Sequence, residues 1–179
     1  MLKNKRALLL DRDGVLNEEK RGSYIFTPEE YIWLPGAQEA LVKAREHYDY
    51  FFIVTNQRGI ARGLMTEEDL AKVHEKMTDD LAELEVEIHG IYYAKGMDNT
   101  DPFRKPNPGM GLKIKEAFKD IDWSRSTMIG NNISDMEFGK HLDLETIFLS
   151  TTNPPLALPH PAVDKQFASL LAWSETLGK

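Results

Sequence analysis

What most constrains the fold of this chain is an alternation of short, almost wholly apolar runs with longer amphipathic ones. The runs are "RALLL" (Arg6–Leu10), "FFIVT" (Phe51–Thr55), "IHGIYYA" (Ile88–Ala94), "TMIG" (Thr127–Gly130) and "ETIFLS" (Glu145–Ser150). Near-continuous apolarity, rather than strict alternation, suits strands covered on both faces, as in a parallel sheet. Between them lie helical patterns. "TEEDLAKVHEKMTDDLAEL" opens on Thr66 as N-cap with acids in its first turn, and Leu70, Val73, Met77, Leu81 and Leu84 recur at helical spacing. Segments from Pro35, Pro108 and Ile133, and "SLLAWSETL" near the end, supply further helices. Strand–helix alternation predicts a single α/β domain over 1–179, a three-layer Rossmann-like sandwich with a mostly parallel central sheet. The proline-rich Thr151–Val163 stretch is expected to be a surface loop leading to the last element.

Composition removes several classes of function. With no cysteine among 179 residues, thiolate nucleophiles, disulfides and cysteine zinc sites are excluded. A net charge of −7 argues against general affinity for nucleic acid or anionic membrane, but leaves room for a local basic site. No apolar run approaches the ~20 residues of a membrane span. The basic-then-apolar start runs straight into acids without a small-residue cleavage site, so it reads as a first strand and the protein as cytoplasmic. The five histidines are scattered, with no metal-ligand pair at helical spacing, and none is assigned a function.

In a parallel α/β sheet, ligands sit at the carboxyl ends of the strands, so the residues just after each strand should carry the chemistry. After the first run come Asp11-Arg12-Asp13-Gly14: residues two apart in extended chain share a side, so both carboxylates can face one site. The second is followed by Thr55-Asn56-Gln57-Arg58-Gly59, offering a hydroxyl, two side-chain amides and loop N–H groups suited to an anion. Further on lie Arg104-Lys105-Pro106-Asn107-Pro108, where Asn107-Pro108 is a helix-start signal. Gly130-Asn131-Asn132-Ile133-Ser134-Asp135 follows the fourth. Carboxylates, a hydroxyl and a lysine converging from four loops are reconciled by a hard divalent cation with a phosphate beside it, and magnesium needs only one or two carboxylates plus phosphate oxygens.

"DRDGVLN", "VTNQ", the lysine of "RKP" and "GNNISD" stand in this order, and the chain thereby resembles the haloacid dehalogenase superfamily of phosphatases. "TNQRGIARG" with "RKPNPGMG" is more specific, and is similar to the minimally capped branch containing heptose 1,7-bisphosphate and histidinol-phosphate phosphatases. The resemblance implies a HAD-like sandwich with little cap. It makes Asp11 the nucleophile of an aspartyl-phosphate mechanism and Asp13 the acid and base. Thr55, Asn56, Gln57 and Lys105 would hold the phosphoryl group, with Arg104 touching substrate. Magnesium would lie on Asp11, the Asp13 carbonyl and the fourth motif, Asn131 or Asp135. The implied substrate is a small phosphorylated metabolite, a sugar phosphate such as heptose 1,7-bisphosphate. Histidinol phosphate, or a catalytically weakened phosphosugar-binding role, are the alternatives, and the similar phosphatase domain of polynucleotide kinase/phosphatase is opposed by the net charge. The Gly22–Pro28 loop, with Tyr24 and Phe26, and the loops Arg58–Met65 and Lys95–Arg104 are expected to select substrate.

Two departures stand out. The branch usually carries a zinc loop of cysteines and a histidine before "RKP", whereas "AKGMDNTDPFRKP" has neither. No zinc is expected there, and packing by Phe103 and the prolines is expected to hold the loop. The fourth motif usually begins Gly-Asp, and here it is Gly130-Asn131. An amide oxygen can ligate magnesium without contributing charge, so affinity should fall, with Asp135 compensating in part.

Overall fold

A computed structural model describes residues 4–178. Six strands form one sheet in the order β3-β2-β1-β4-β5-β6, and every neighbouring pair is parallel. They are β1 (Ala7–Leu10), β2 (Tyr50–Asn56), β3 (Gly90–Ala94), β4 (Thr127–Gly130), β5 (Glu145–Leu149) and β6 (Lys165–Phe167). The helices are α1 (Ala37–Ala44), α2 (Glu67–Ala82), α3 (Gly109–Ala117), α4 (Ile133–His141) and α5 (Leu170–Ser174).

The pleat of β1 shows why its run is apolar throughout. Leu8 and Leu10 pack with Leu41 of α1, Val73 and Met77 of α2, and Trp173 of α5. Ala7 and Leu9 turn to the other face, against Met110 and Ile114 of α3 and Phe138 of α4. Both faces are covered, which gives three layers. Strand order reverses between β1 and β4, so chain leaving these strands diverges to opposite sides and leaves a crevice at their carboxyl ends.

Thr66 caps α2 as its sequence predicts: the Thr66 hydroxyl accepts from the Asp69 N–H (3.1 Å), and the Asp69 carboxylate accepts from the Thr66 N–H (2.9 Å). Leu70, Val73, Met77 and Leu81 are buried, and His74 joins them. Leu84 does not, because the helix ends at Ala82 and leaves it 37% exposed. Among the described residues, no helix is long and apolar enough to cross a membrane.

Candidate active site

The crevice is a cavity of about 340 Å³ whose floor is formed by Asp11, Thr55, Lys105 and Asp135, from four separate strand ends. Lys105 is 2% exposed, and its Nζ reaches the Val54 carbonyl (2.7 Å), Asp11 Oδ1 (3.0 Å) and Asp135 Oδ1 (2.7 Å). An ammonium carries three protons, so this set uses all of them. Burial opposes its charge, but the Asp11 and Asp135 carboxylates outweigh burial and hold its pKa above the ordinary lysine value. Burial pushes Asp11 up to about 7; Lys105 opposes that rise, and the charges of Asp135 and Asp13 add to it. A carboxylate so poorly solvated favours any cation or electrophile placed against it.

Asn56 clamps the peptide of Lys105 from both sides, its Oδ1 accepting from the Lys105 N–H (3.0 Å) and its Nδ2 donating to the Lys105 carbonyl (3.2 Å). Its amide therefore sets where Lys105 stands while one edge lines the cavity. Gln57 was expected to meet phosphate. Its side chain is instead buried at 1% exposure and spans inward, donating to Thr55 Oγ1 (2.9 Å) and Asp13 Oδ2 (2.9 Å). Gln57 follows the last residue of β2, and its amide is taken up by the Thr55 hydroxyl two residues back and by the Asp13 carboxylate, which leaves it no N–H for a phosphate.

Asp13 is held as an anion. Arg12, fully buried, donates from Nη2 to both its oxygens (2.9 and 3.0 Å), and Asn17 and Gln57 add a bond each of 2.9 Å. Burial opposes ionisation of Asp13, yet the Arg12 charge and these donors hold its pKa below the usual carboxylate range. Behind Arg12, His74 Nε2 takes the Nη1 proton at 3.1 Å. Arginine does not deprotonate, so the ring is the acceptor and is neutral. Burial, then the Arg12 charge, lowers His74 to about 3. The sequence alone leaves Arg12 as local structure and His74 unassigned, since nothing short-range links residues so far apart in the chain.

Asp135 reaches back over the start of α4: its Oδ2 accepts the N–H groups of Asn131 (3.1 Å) and Asn132 (3.0 Å), while Oδ1 takes Lys105. Both oxygens are thus committed to protein donors. Asn131 is wholly buried beneath Gly14, with Nδ2 toward Thr152 Oγ1 (2.5 Å) and Glu19 Oε2 (3.3 Å), and Oδ1 accepting from Asn132 Nδ2 (3.1 Å). Gly14 is required there, since at φ 80° a Cβ would lie 2.1 Å from Asn131 Nδ2. The Thr151–Val163 stretch begins as scaffold rather than free loop. Thr151 Oγ1 donates to the Gly14 carbonyl (2.5 Å) and Asn153 Nδ2 to the Asn131 carbonyl (2.7 Å).

Among the described residues, no cluster of three or more acidic, histidine or cysteine side chains could enclose a metal ion. The donor set nevertheless fits magnesium. Asp11 offers a desolvated carboxylate and the Asp13 carbonyl a free oxygen, and a substrate phosphate would complete a hard-oxygen shell. Asn131, fully buried, does not line the cavity, and its amide is engaged by Glu19, Thr152 and Asn132.

Toward its mouth the cavity becomes cationic. Arg58, Arg62 and Arg104 line it with Lys20, and among the described residues none of the three arginines forms a salt bridge. Arg58 Nε donates to Tyr24 Oη (3.2 Å), so the expected role of Tyr24 at the mouth has a structural partner. Burial, then the neighbouring Arg58 charge, lowers the pKa of Arg104. Phe26 does not line the cavity but packs edge-on against Tyr24. Arg62 lines it from the Arg58–Met65 loop expected to select substrate, and Lys20, Glu19, Asn132 and Ser134 line it although the sequence assigns them no such role. Asn132 and Ser134 stand just beyond β4, whereas Glu19 and Lys20, well past β1, carry no such signal.

The polynucleotide kinase 3 phosphatase family model matches residues 7–171. D-glycero-alpha-D-manno-heptose-1,7-bisphosphate 7-phosphatase of Campylobacter jejuni is 38% identical over 144 residues, 80% of this chain and 81% of that one. The corresponding beta-named enzyme of Pasteurella multocida is 36% identical over 160 residues, 85% of each chain. Among solved structures, the D,D-heptose 1,7-bisphosphate phosphatase of B. bronchiseptica, complexed with magnesium and phosphate, superposes with a TM-score of 0.83. It shares 27% identity, over 96% of this chain and 97% of that one.

Proposed function

The chain belongs to the haloacid dehalogenase phosphatases, within the polynucleotide kinase 3 phosphatase family, and from that premise we propose that it removes one phosphate from a bisphosphorylated sugar of the heptose 1,7-bisphosphate kind. The observation that carries this is one cavity with two unlike ends. Its floor pairs a desolvated Asp11 with Lys105, and its mouth holds three arginines that form no salt bridge among the described residues. A monophosphate needs only the floor. A second phosphate on the far end of the sugar explains the mouth, where guanidinium forks suit phosphate oxygens. Histidinol phosphate would place an amine among these arginines, and like charges there are unfavourable. A binding-only role leaves unexplained why Asp13 is so heavily braced.

The geometry supports the roles that the family resemblance implies. Asp11 attacks phosphorus and the bond to the sugar oxygen breaks, leaving an aspartyl phosphate. Asp13, an anion in the free site, must first take up a proton as the phosphate dianion binds. It hands that proton to the departing oxygen and regains one from the water that then attacks the phosphorus, which leaves it protonated for the next turnover. Lys105, giving up its Asp11 contact as Asp11 is phosphorylated, and the Thr55 hydroxyl meet the equatorial oxygens where charge builds. Asn56, Gln57, Arg12 and Asp135 position these groups through the bonds described above. Asp11, the Asp13 carbonyl and Asn131 would hold magnesium, which neutralises phosphoryl charge when bound.

Phosphate release from both heptose 1,7-bisphosphate anomers, histidinol phosphate and simple sugar monophosphates, with magnesium titrated and Asp11→Asn as the blank, tests the proposal. Turnover highest on a bisphosphate and abolished in the variant is expected. Higher turnover on histidinol phosphate, or none on any compound, would contradict it.

A further inference from the structure

The segment 95–107 delivers Arg104 and Lys105 to the site through thirteen residues that contain no helix or strand. Phe103, expected to pack this loop down, is 36% exposed. The tie is instead a carboxylate. Asp101 Oδ2 accepts the Gly96 N–H and Oδ1 the Phe103 N–H, each at 2.8 Å, so one side chain joins the two ends of the loop. Asn107 adds a second fastening, its Nδ2 donating to the carbonyls of Asn99 (2.8 Å) and Asp101 (2.9 Å). Asn107 therefore does not cap α3, whose N-cap residue is Pro108.

From this arrangement we infer that Asp101 is a positioning residue for substrate specificity, acting through Arg104. One link runs from its carboxylate to that guanidinium: Gly96, whose N–H it holds, presents its carbonyl 3.5 Å from Arg104 Nη1. The main chain adds a turn that places the two residues together, the Arg104 N–H donating to the Asp101 backbone carbonyl (3.1 Å). Lys105, the next residue, is held separately by the Asn56 clamp and by its three buried partners. The loop thus divides the two ends of the cavity between two anchors. Asn56 sets the floor lysine, and Asp101 sets the mouth arginine. Loosening Asp101 costs binding of the distal phosphate and leaves the chemistry at Asp11 alone. A carboxylate accepting two loop N–H groups is a compact fastening that needs no metal, because both acceptor atoms belong to one planar group.

The inference rests on the two-phosphate reading, and the test separates them. Asp101→Ala, Arg104→Ala and the double variant are assayed on heptose 1,7-bisphosphate and on p-nitrophenyl phosphate, which has no distal phosphate. Asp101→Ala is expected to raise KM for the bisphosphate about tenfold, the scale of one charge-assisted contact, with kcat held. Its turnover of p-nitrophenyl phosphate should stay at the wild-type level. The double variant should be no worse than Arg104→Ala, because both changes remove one interaction. Asp101→Asn keeps one acceptor oxygen and should fall between, which covers the case of a poorly folding alanine variant. Equal loss on both substrates, or additive effects in the double variant, would overturn the inference. If Arg104→Ala impairs the bisphosphate while Asp101→Ala does not, the inference fails and the two-phosphate reading stands. If Arg104→Ala itself leaves the bisphosphate untouched, both fall.

Discussion

At the scale of single residues, the site is a balance of buried charge. Lys105 sits between two carboxylates, and Arg12 between a carboxylate and a neutral imidazole. The His74 ring makes a pH-dependent contribution whose sign is fixed. Its pKa is about 3 in the folded protein against the ordinary histidine value of 6.5, so between these values the unfolded chain binds the extra proton. Stability therefore rises with pH across that window and is lost as pH falls below about 6.5, at up to ~1.4 kcal/mol per pH unit from this group. Urea unfolding at pH 6.5 and 5 should show that slope reduced in His74→Gln; an unchanged slope would remove His74 as its source. Asn131 gives the second test. Asn131→Asp adds a charge at the residue proposed to hold magnesium and, without metal, sets it near Glu19. Metal-free melting temperature should drop, and magnesium should bind about tenfold tighter. Thermal melts across a magnesium titration check both, and an identical magnesium response in the two proteins would show that residue 131 does not face the ion. Asp11 and Asp13 were legible as candidates because they follow an apolar run, Thr55 because it closes one, and Lys105 because its motif stands in order beyond the third. The inward turn of Gln57 and the Arg12–His74 contact were not, since they depend on which side chains meet across the completed fold.

At the scale of elements, positions are set by close approach. α4 carries Asp135, whose carboxylate fixes Lys105, so the seating of α4 on the sheet governs the floor. Gly139 permits that seating: a Cβ there would lie 2.6 Å from Thr146 Cγ2 and 3.0 Å from Met128 Cβ, on β5 and β4. Gly139→Ala gains roughly 1 kcal/mol of helix propensity but meets backbone-proximal atoms that cannot swing aside. A net loss of about 1–2 kcal/mol is expected, with turnover falling alongside it as Asp135 shifts. Calorimetry together with a steady-state assay checks this, and a stabilised, fully active variant would contradict it. Five of the six strands were legible as apolar runs. β6, Lys165–Phe167, was not, because "KQF" is three residues long, mostly polar, and lies at the sheet edge where one side needs no partner.

For the whole molecule, the sheet order explains how a chain of net charge −7 presents a cationic mouth. Loops after β2 and β3, neighbours on one half of the sheet, bring Arg58, Arg62 and Arg104 to one opening above Asp11, while the chain beyond β4 brings Asp135 from the other half. Alternating strands and helices foretold that gathering, whereas the loop path through Asp101 depended on hydrogen bonds that no periodicity reports. The central claim is that Asp11 becomes covalently phosphorylated. Rapid acid quench during turnover of radiolabelled heptose 1,7-bisphosphate, followed by peptide mapping, tests it directly. The expected result is hydroxylamine-labile phosphate on the peptide carrying Asp11, absent from Asp11→Asn. Turnover with no labelled protein, or label that persists in Asp11→Asn, would contradict the account.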